Sequence, residues 1–290
     1  IRFGPDGTVT LLVGTQSNGQ GHETSYRQIA SDLLGLPVSA FRYVQADTKV
    51  VATGGGHGGA RSMHMGGAAL ARAVEAVLEK GRVIAARLLQ ATPESVAFDA
   101  GRFNTNDGRG IALLDVARAA ADFESSLDSR ADVADAAFTF PNGCHVAEVE
   151  VDPETGAVTL ERYCAIDDFG RLINPMLTAG QVRGGVAQGI GQALLERCAY
   201  DPASGQLLSG TFMDYAIPRA ADLPDLDVSL PGTPTNANPL GVKGSGQAGA
   251  IAAPQAVMHA ILDALGAAHL DMPATPETVW RALSADPKQP

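Results

Sequence analysis

The stretch NPLGVKGSGQAGAIAAPQAV, residues 238–257, sets the amide of Gln247 among glycines and alanines at the start of an apolar run. An amide donates and accepts hydrogen bonds but cannot act as a base near neutral pH. Other groups with chemistry to offer also lie in small-residue loops. His22 sits in GTQSNGQGHETS, and His57, Arg61 and His64 in TGGGHGGARSMHMGG, while Lys243 belongs to the opening stretch. Arginine can hold a phosphate bidentately, whereas lysine acts as a point charge; surface solubility is the plainer reading of both. His22 could hydrogen-bond an anion or a heterocycle. No HExxH and no Cys/His cluster is found, so no side-chain metal site is expected. A nucleophile elbow is absent, and neither a P-loop nor a G-x-G-x-x-G stands in strand–helix context. Asp167 and Asp168 close a strand-like run and read as turn caps.

Four segments share one design. GTQSNGQGHETS, TGGGHGGARSMHMGG, INPMLTAGQVRGG and LGVKGSGQAGA each place small residues before an expected helix. Helix starts carry unpaired N–H groups and about half a positive charge. Glycine lets that backbone approach an anion unobstructed. In a chain of net charge −11 such mouths would grip an extended phosphate-bearing ligand. The plainer alternative is that these glycines cap turns and permit close helix packing.

The elements that must position these loops follow from periodicity. Residues 8–14 and 38–46 read as strands, and Tyr26, Ile29, Ala30, Leu33 and Leu34 as the face of a helix closed by Gly35 and Pro37. A helix from about Ser62 is expected to stop at Gly81, with residues 82–90 helical again. ESVAFDAGRF suggests a hairpin and ALLDVARAAAD a short helix. CHVAEVEVDPETGAVTLERYCAID alternates cleanly about DPETG and predicts a β-hairpin. A helix over 178–196, strands over 211–216 and 226–230, a helix through Val257, Ile261, Leu262 and Leu265, and a short last helix complete the chain. The fold class is therefore α+β: two α/β lobes of mixed sheets with helices packed on them, and Gly-rich loops converging on a cofactor cleft. The first lobe is placed at 1–136 and the second at 137–290.

At 290 residues the chain can bury a large core. Its acidity disfavours nucleic acid as a partner. Cys144, Cys164 and Cys198 are odd in number and form no CxxC, which argues against disulfides, zinc and cysteine-ligated clusters and fits a cytoplasmic setting. No 18-residue uninterrupted apolar run exists, so no membrane span is expected. The abrupt start reads as a piece of something larger.

GTQSNGQGHETSYRQIASDLLGLP resembles the signature of the molybdenum hydroxylases, the xanthine dehydrogenase/aldehyde oxidase/aerobic CO dehydrogenase group. GGARSMHMGGAA, IDDFGRLINPMLTAGQVRGGVAQGIGQAL and NPLGVKGSGQAGAIAAPQAV resemble its later cofactor loops, in family order and spacing. The resemblance implies a molybdopterin ligand, in its cytosine dinucleotide form, with molybdenum held by the pterin dithiolene and not by side chains. By position, Gly19, Gln20, Gly21, His22 and Gln181 would hydrogen-bond the pterin or its phosphates. Gly59, Ala60, Arg61 and Ser62 would line the dinucleotide, and Gly244, Ser245 and Gly246 would lie near the metal.

In that family the last loop reads G-x-G-E, and its glutamate serves as the base. Gln247 occupies this position, so the sequence departs from the pattern there. Another base, altered chemistry or an introduced change would each account for it. The resemblance covers only the second, C-terminal molybdopterin-binding half. It implies an N-terminal half as partner, FAD and [2Fe–2S] clusters on other subunits, and a small-molecule substrate oxidised at C–H with water-derived oxygen. A non-catalytic cofactor-binding scaffold that has lost the glutamate is the alternative, and an unrelated phosphate-ester-binding domain is a third.

Overall fold

The computed structural model describes residues 1–134 and 137–284. Residue 136, the expected end of the first lobe, lies outside them. Two compact units emerge. One comprises 1–140, 170–174 and 234–244; the other holds 141–169, 175–233 and 245–290. The chain therefore leaves and re-enters each unit, where two contiguous lobes were expected.

The first unit opens with β1 (Arg2–Phe3) antiparallel to β2 (Val9–Val13), and β2 runs parallel to β3 (Phe41–Gln45). A parallel pair needs a crossover, which α1 (His22–Leu34) supplies. Val9, Leu11 and Val13 alternate inward along β2 and bury against Tyr26, Ile29 and Leu34 of α1. Gly35 ends α1 in the left-handed conformation, φ 61°, as glycine does at helix ends. The segment read as one strand over 38–46 is a short 3₁₀ turn, Val38–Ala40, followed by β3.

A π-turn (Ser62–Gly66) leads into α2 (Gly67–Leu88). The stop expected at Gly81 does not occur: α2 runs through it, and the helical reading of 82–90 is its second half. A β-carbon at Gly81 would stand 2.5 Å from Phe103 Cζ, so this glycine makes room for a buried ring. Phe103 lies on β5 (Arg102–Thr105), the centre of an antiparallel sheet with β4 (Val96–Asp99) and β6 (Gly110–Ala112), and α3 (Leu113–Ala119) follows. The hairpin and short helix expected here are both present.

In the second unit, β7 (Asn142–Val151) and β8 (Val158–Asp168) form the expected hairpin, and β9 (Leu226–Ser229) adds parallel to β8. Helix α4 (Pro175–Leu194) packs on α5 (Ala248–Leu265), which also covers β7; α6 (Pro276–Ser284) ends the described chain. The α4–α5 contact is a seam of small residues. A β-carbon at Gly249 would stand 2.6 Å from Val186 N, and one at Gly189 would stand 2.6 Å from Ala253 Cβ. By length and composition α5 could cross a membrane, where no span was expected; Ala253, Val257 and Ile261 are among its buried residues. Residues 211–216, expected as a strand, are a turn: Thr211 O accepts from both Asp214 N and Tyr215 N, a curl that precludes extended backbone. The mixed sheets and packed helices make the chain α+β.

Candidate functional site

In the first unit, two glycine-rich loops are stitched together. Backbone at the end of β2 meets the 54–56 segment so closely that a β-carbon at Gly14 would stand 2.8 Å from Gly54 Cα. Thr15 Oγ1 donates to Gly56 O at 3.3 Å and shares a 2.6 Å hydrogen bond with Ser62 Oγ. Asn18 Nδ2 and His57 Nε2 are 3.3 Å apart. Gln45 Oε1 accepts from Ser17 N and from the Tyr43 hydroxyl, both at 2.9 Å. The Gln20 amide oxygen turns inward, accepting from Asn18 N and Ser17 Oγ, so that oxygen braces its own loop.

What remains open is backbone. Gly21 caps α1 in the left-handed region at φ 74°, and no side chain caps that helix. Among the described residues, built β-carbons at Gly19, Gly58 and Gly59 meet nothing within 4 Å. The 58–62 turn is bent sharply, with Gly59 at φ 74° and Ala60 at φ 54°. Gly244 packs on this turn, where a β-carbon would stand 2.8 Å from Ala60 O. Arg61 and Ser62 line a cavity of about 620 Å³ with Gly54, Gly55, Arg130 and the apolar Leu11 and Val13.

His22 is buried, and its Nδ1 has no hydrogen-bond partner among the described residues; the same holds for Nδ1 of His64. Burial pushes both imidazoles below the ordinary histidine range. His57 adds to this at His22 and Arg61 at His64, while backbone hydrogen bonds at Gln16 and Ala60, respectively, oppose the shift. Both rings are accordingly neutral near pH 7.

The third segment departs from its expected place. Gln181 does not precede a helix: it lies in the second turn of α4, and Gly185 and Gly189 serve the packing seam with α5. The Gln181 amide reaches the last loop, with Nε2 donating to Gly246 O at 3.0 Å. Ser245 and Gly246 lead to Gln247, which is exposed at the start of α5 with no side-chain cap; its carbonyl accepts from Ile251 N at 2.9 Å. Asp167 is not a turn cap. It is buried on β8 against His145, while Asp168 Oδ1 accepts from Thr233 N at 3.0 Å. Among the described residues, no group of three or more His, Cys, Asp or Glu side chains could hold a metal ion.

These features suit a phosphate-bearing cofactor. Uncapped glycine backbone at helix starts offers N–H groups to anions, and an unpartnered buried imidazole nitrogen offers a hydrogen bond to a heterocycle. An α+β chain of this kind is a cofactor-binding domain. It belongs to the molybdopterin cofactor-binding domain family, whose model matches residues 1–224. It is similar to the nicotine 6-hydroxylase large subunit of Paenarthrobacter nicotinovorans, 36% identical over 97% of this chain and 36% of that protein. Among solved structures, Cu,Mo-CO dehydrogenase superposes with a TM-score of 0.89 at 30% identity, covering 97% of this chain and 36% of the other. Quinoline 2-oxidoreductase from Pseudomonas putida 86 gives 0.87 at 36% identity, over 99% and 38%. The chain thus spans little more than a third of the length of these relatives.

Sequence reasoning did not find Thr15, Tyr26 or Gln45. Tyr26 was legible only as an apolar helix position, because nothing local announces where a hydroxyl will end.

Proposed function

We propose that the chain is the C-terminal, cofactor-holding portion of a molybdenum hydroxylase large subunit. The whole enzyme would oxidise a C–H bond of an aldehyde, N-heterocycle or similar small molecule. Open backbone at the 58–62 turn and at the start of α1, beside the unpartnered His22 Nδ1, is the observation that carries this reading. When bound, molybdopterin with its metal supplies the two-electron oxidation and the oxygen drawn from water.

The chain's own residues have separable tasks. The N–H groups from Gly19 to His22 and from Gly59 to Ser62 would hold phosphate charge, and Arg61 would add the cation that an acidic chain otherwise lacks. His22, kept neutral by burial, would hydrogen-bond the heterocycle. Gln181 fixes Gly246 and so orients the Gly244–Gln247 loop. Gln247 can hold a substrate polar group from the start of α5, but it cannot take a proton.

The cytosine dinucleotide form fits a ligand long enough to use several such loops. The relatives' names speak of large subunits and of a complex, which supports the presence of partner subunits; in this reading those partners carry FAD and [2Fe–2S] clusters and the rest of the large subunit completes the cofactor site. Metal and pterin analysis of the assembled complex, made in cells able to synthesise the cofactor, tests the reading. Near-stoichiometric molybdenum and pterin are expected; molybdenum near zero overturns it.

A further inference from the structure

The π-turn at Ser62–Gly66 has a local cause. The Tyr26 hydroxyl donates to Ser62 O at 2.6 Å, and the same carbonyl accepts from Gly67 N, five residues on. Tyr26 is fully buried on α1, with its ring 5.7 Å from that of Tyr43. A β-carbon at Gly66 would collide with the Tyr26 hydroxyl, so this glycine leaves the space in which the hydroxyl sits. A side chain inserted into a helix ladder widens it, and single π-turns recur at functional sites. Ser62 Oγ is meanwhile held by Thr15 at 2.6 Å.

The width of this turn sets the direction of what precedes it. A π-turn holds one residue more than an α-turn. Relaxing it to α would rotate the upstream chain by about 100° and shift it by about 1.5 Å. The upstream chain is Gly58–Arg61, the bent turn with open backbone.

We propose that Tyr26, with Thr15 in support, is a positioning residue: its hydroxyl keeps Ser62–Gly66 in the π form and so aims the N–H groups of the 58–62 turn at the ligand. This rests on the cofactor reading given above. Tyr26 does not itself touch the ligand.

The test places Tyr26→Phe in the intact large subunit within its assembled complex. Phenylalanine keeps the packed ring and removes the hydroxyl alone. Amide hydrogen exchange over 58–66 should quicken about tenfold, the factor that loss of one buried hydrogen bond carries, with exchange in α5 unchanged. Pterin retained after gel filtration, measured by fluorescence of the released pterin, should fall by a similar factor. Thr15→Val, which frees Ser62 Oγ, should give a smaller effect in the same direction and guards against misfolding of the first variant. Unchanged exchange over 58–66 in both variants overturns the proposal. Faster exchange in a complex whose parent carries no pterin would leave the clamp standing and sink the cofactor reading instead. Faster exchange with pterin retention unaltered would show that the turn does not aim at the ligand, and that too overturns the proposal.

Discussion

His145 on β7 and Asp167 on β8 meet across the strand pair, with Nε2 of the imidazole 3.1 Å from Oδ2 of the carboxylate and both side chains buried. The other ring nitrogen, Nδ1, lies 2.8 Å from the Tyr163 hydroxyl. One imidazole thereby spans two residues of β8 that are four apart. Gly143, opposite Asp167 in the register, leaves room for the carboxylate. Removing the carboxylate strands a buried imidazole nitrogen. Asp167→Ala should therefore cost about 3 kcal/mol in urea unfolding, and Tyr163→Phe about 1 kcal/mol. Equal costs would show that the carboxylate is not the main anchor.

Gly81→Ala sets two effects against each other. Alanine is favoured over glycine inside a helix by roughly 0.8–1 kcal/mol. Its methyl would meet the Phe103 ring at 2.5 Å, and overpacking a core typically costs about 1–3 kcal/mol. The clash wins because Phe103 is fully buried and has nowhere to withdraw. A net loss of about 1 kcal/mol is expected, seen as a lower thermal midpoint. A higher midpoint would show that the Phe103 ring can yield and that helix propensity decides the sign.

Gly249→Ala should be harsher. The added methyl would press on the α4 backbone at Val186 N, 2.6 Å away, and helix backbone cannot rotate aside as a side chain can. A loss of about 3 kcal/mol, or failure to fold, is expected. Wild-type stability in a denaturant titration would show that the α4–α5 seam is looser than described.

Gln247→Glu restores a group able to take a proton at the start of α5. General-base catalysis is typically worth on the order of 10²–10⁴ in rate. Turnover of the assembled complex should rise by at least about 10²-fold, with the fold unchanged. No rise would favour another base or a scaffold role.

His22 and His64 are both depressed by burial, so the unfolded chain binds protons more readily than the folded one as pH falls. Their stabilising neutral state is fully present above the unfolded value of about 6.5. It is lost as pH drops below that value towards the lower folded-state values. The thermal midpoint should fall from pH 7 to pH 5, and less steeply in a His22→Gln/His64→Gln variant. Parallel slopes for the two proteins would exclude these histidines as the cause. Asp6, Asp152 and Asp201, whose carboxyls are held below the usual range by hydrogen bonds, act only at more acid pH.

Much of the fold was legible because its cues are local. Alternation about DPETG announced β7 and β8, and apolar spacing announced α1 and α5. The glycines were less readable, since a glycine looks the same whether it bends the chain or admits a neighbour. Gly81 read as a stop and is a berth for Phe103. Gly185 read as part of an anion mouth and is, with Gly189, the floor of a helix seam. Residues 211–216 read as a strand because their aromatic and apolar side chains suit one, yet Phe212 and Met213 are exposed on a turn.

The sequence by itself determined the family, through four loop motifs in order, and with it the oddity of an amide at Gln247. It also determined which residues are apolar at helical or alternating spacing, because period is a property of neighbours in the chain. Tertiary structure alone decided the partners of single polar atoms: Tyr26 on Ser62, His145 on Asp167, Gln181 on Gly246. These pairs are 22 or more residues apart, and a hydrogen bond forms only where packing has already fixed both ends within about 3 Å. No local pattern of residue types carries that information.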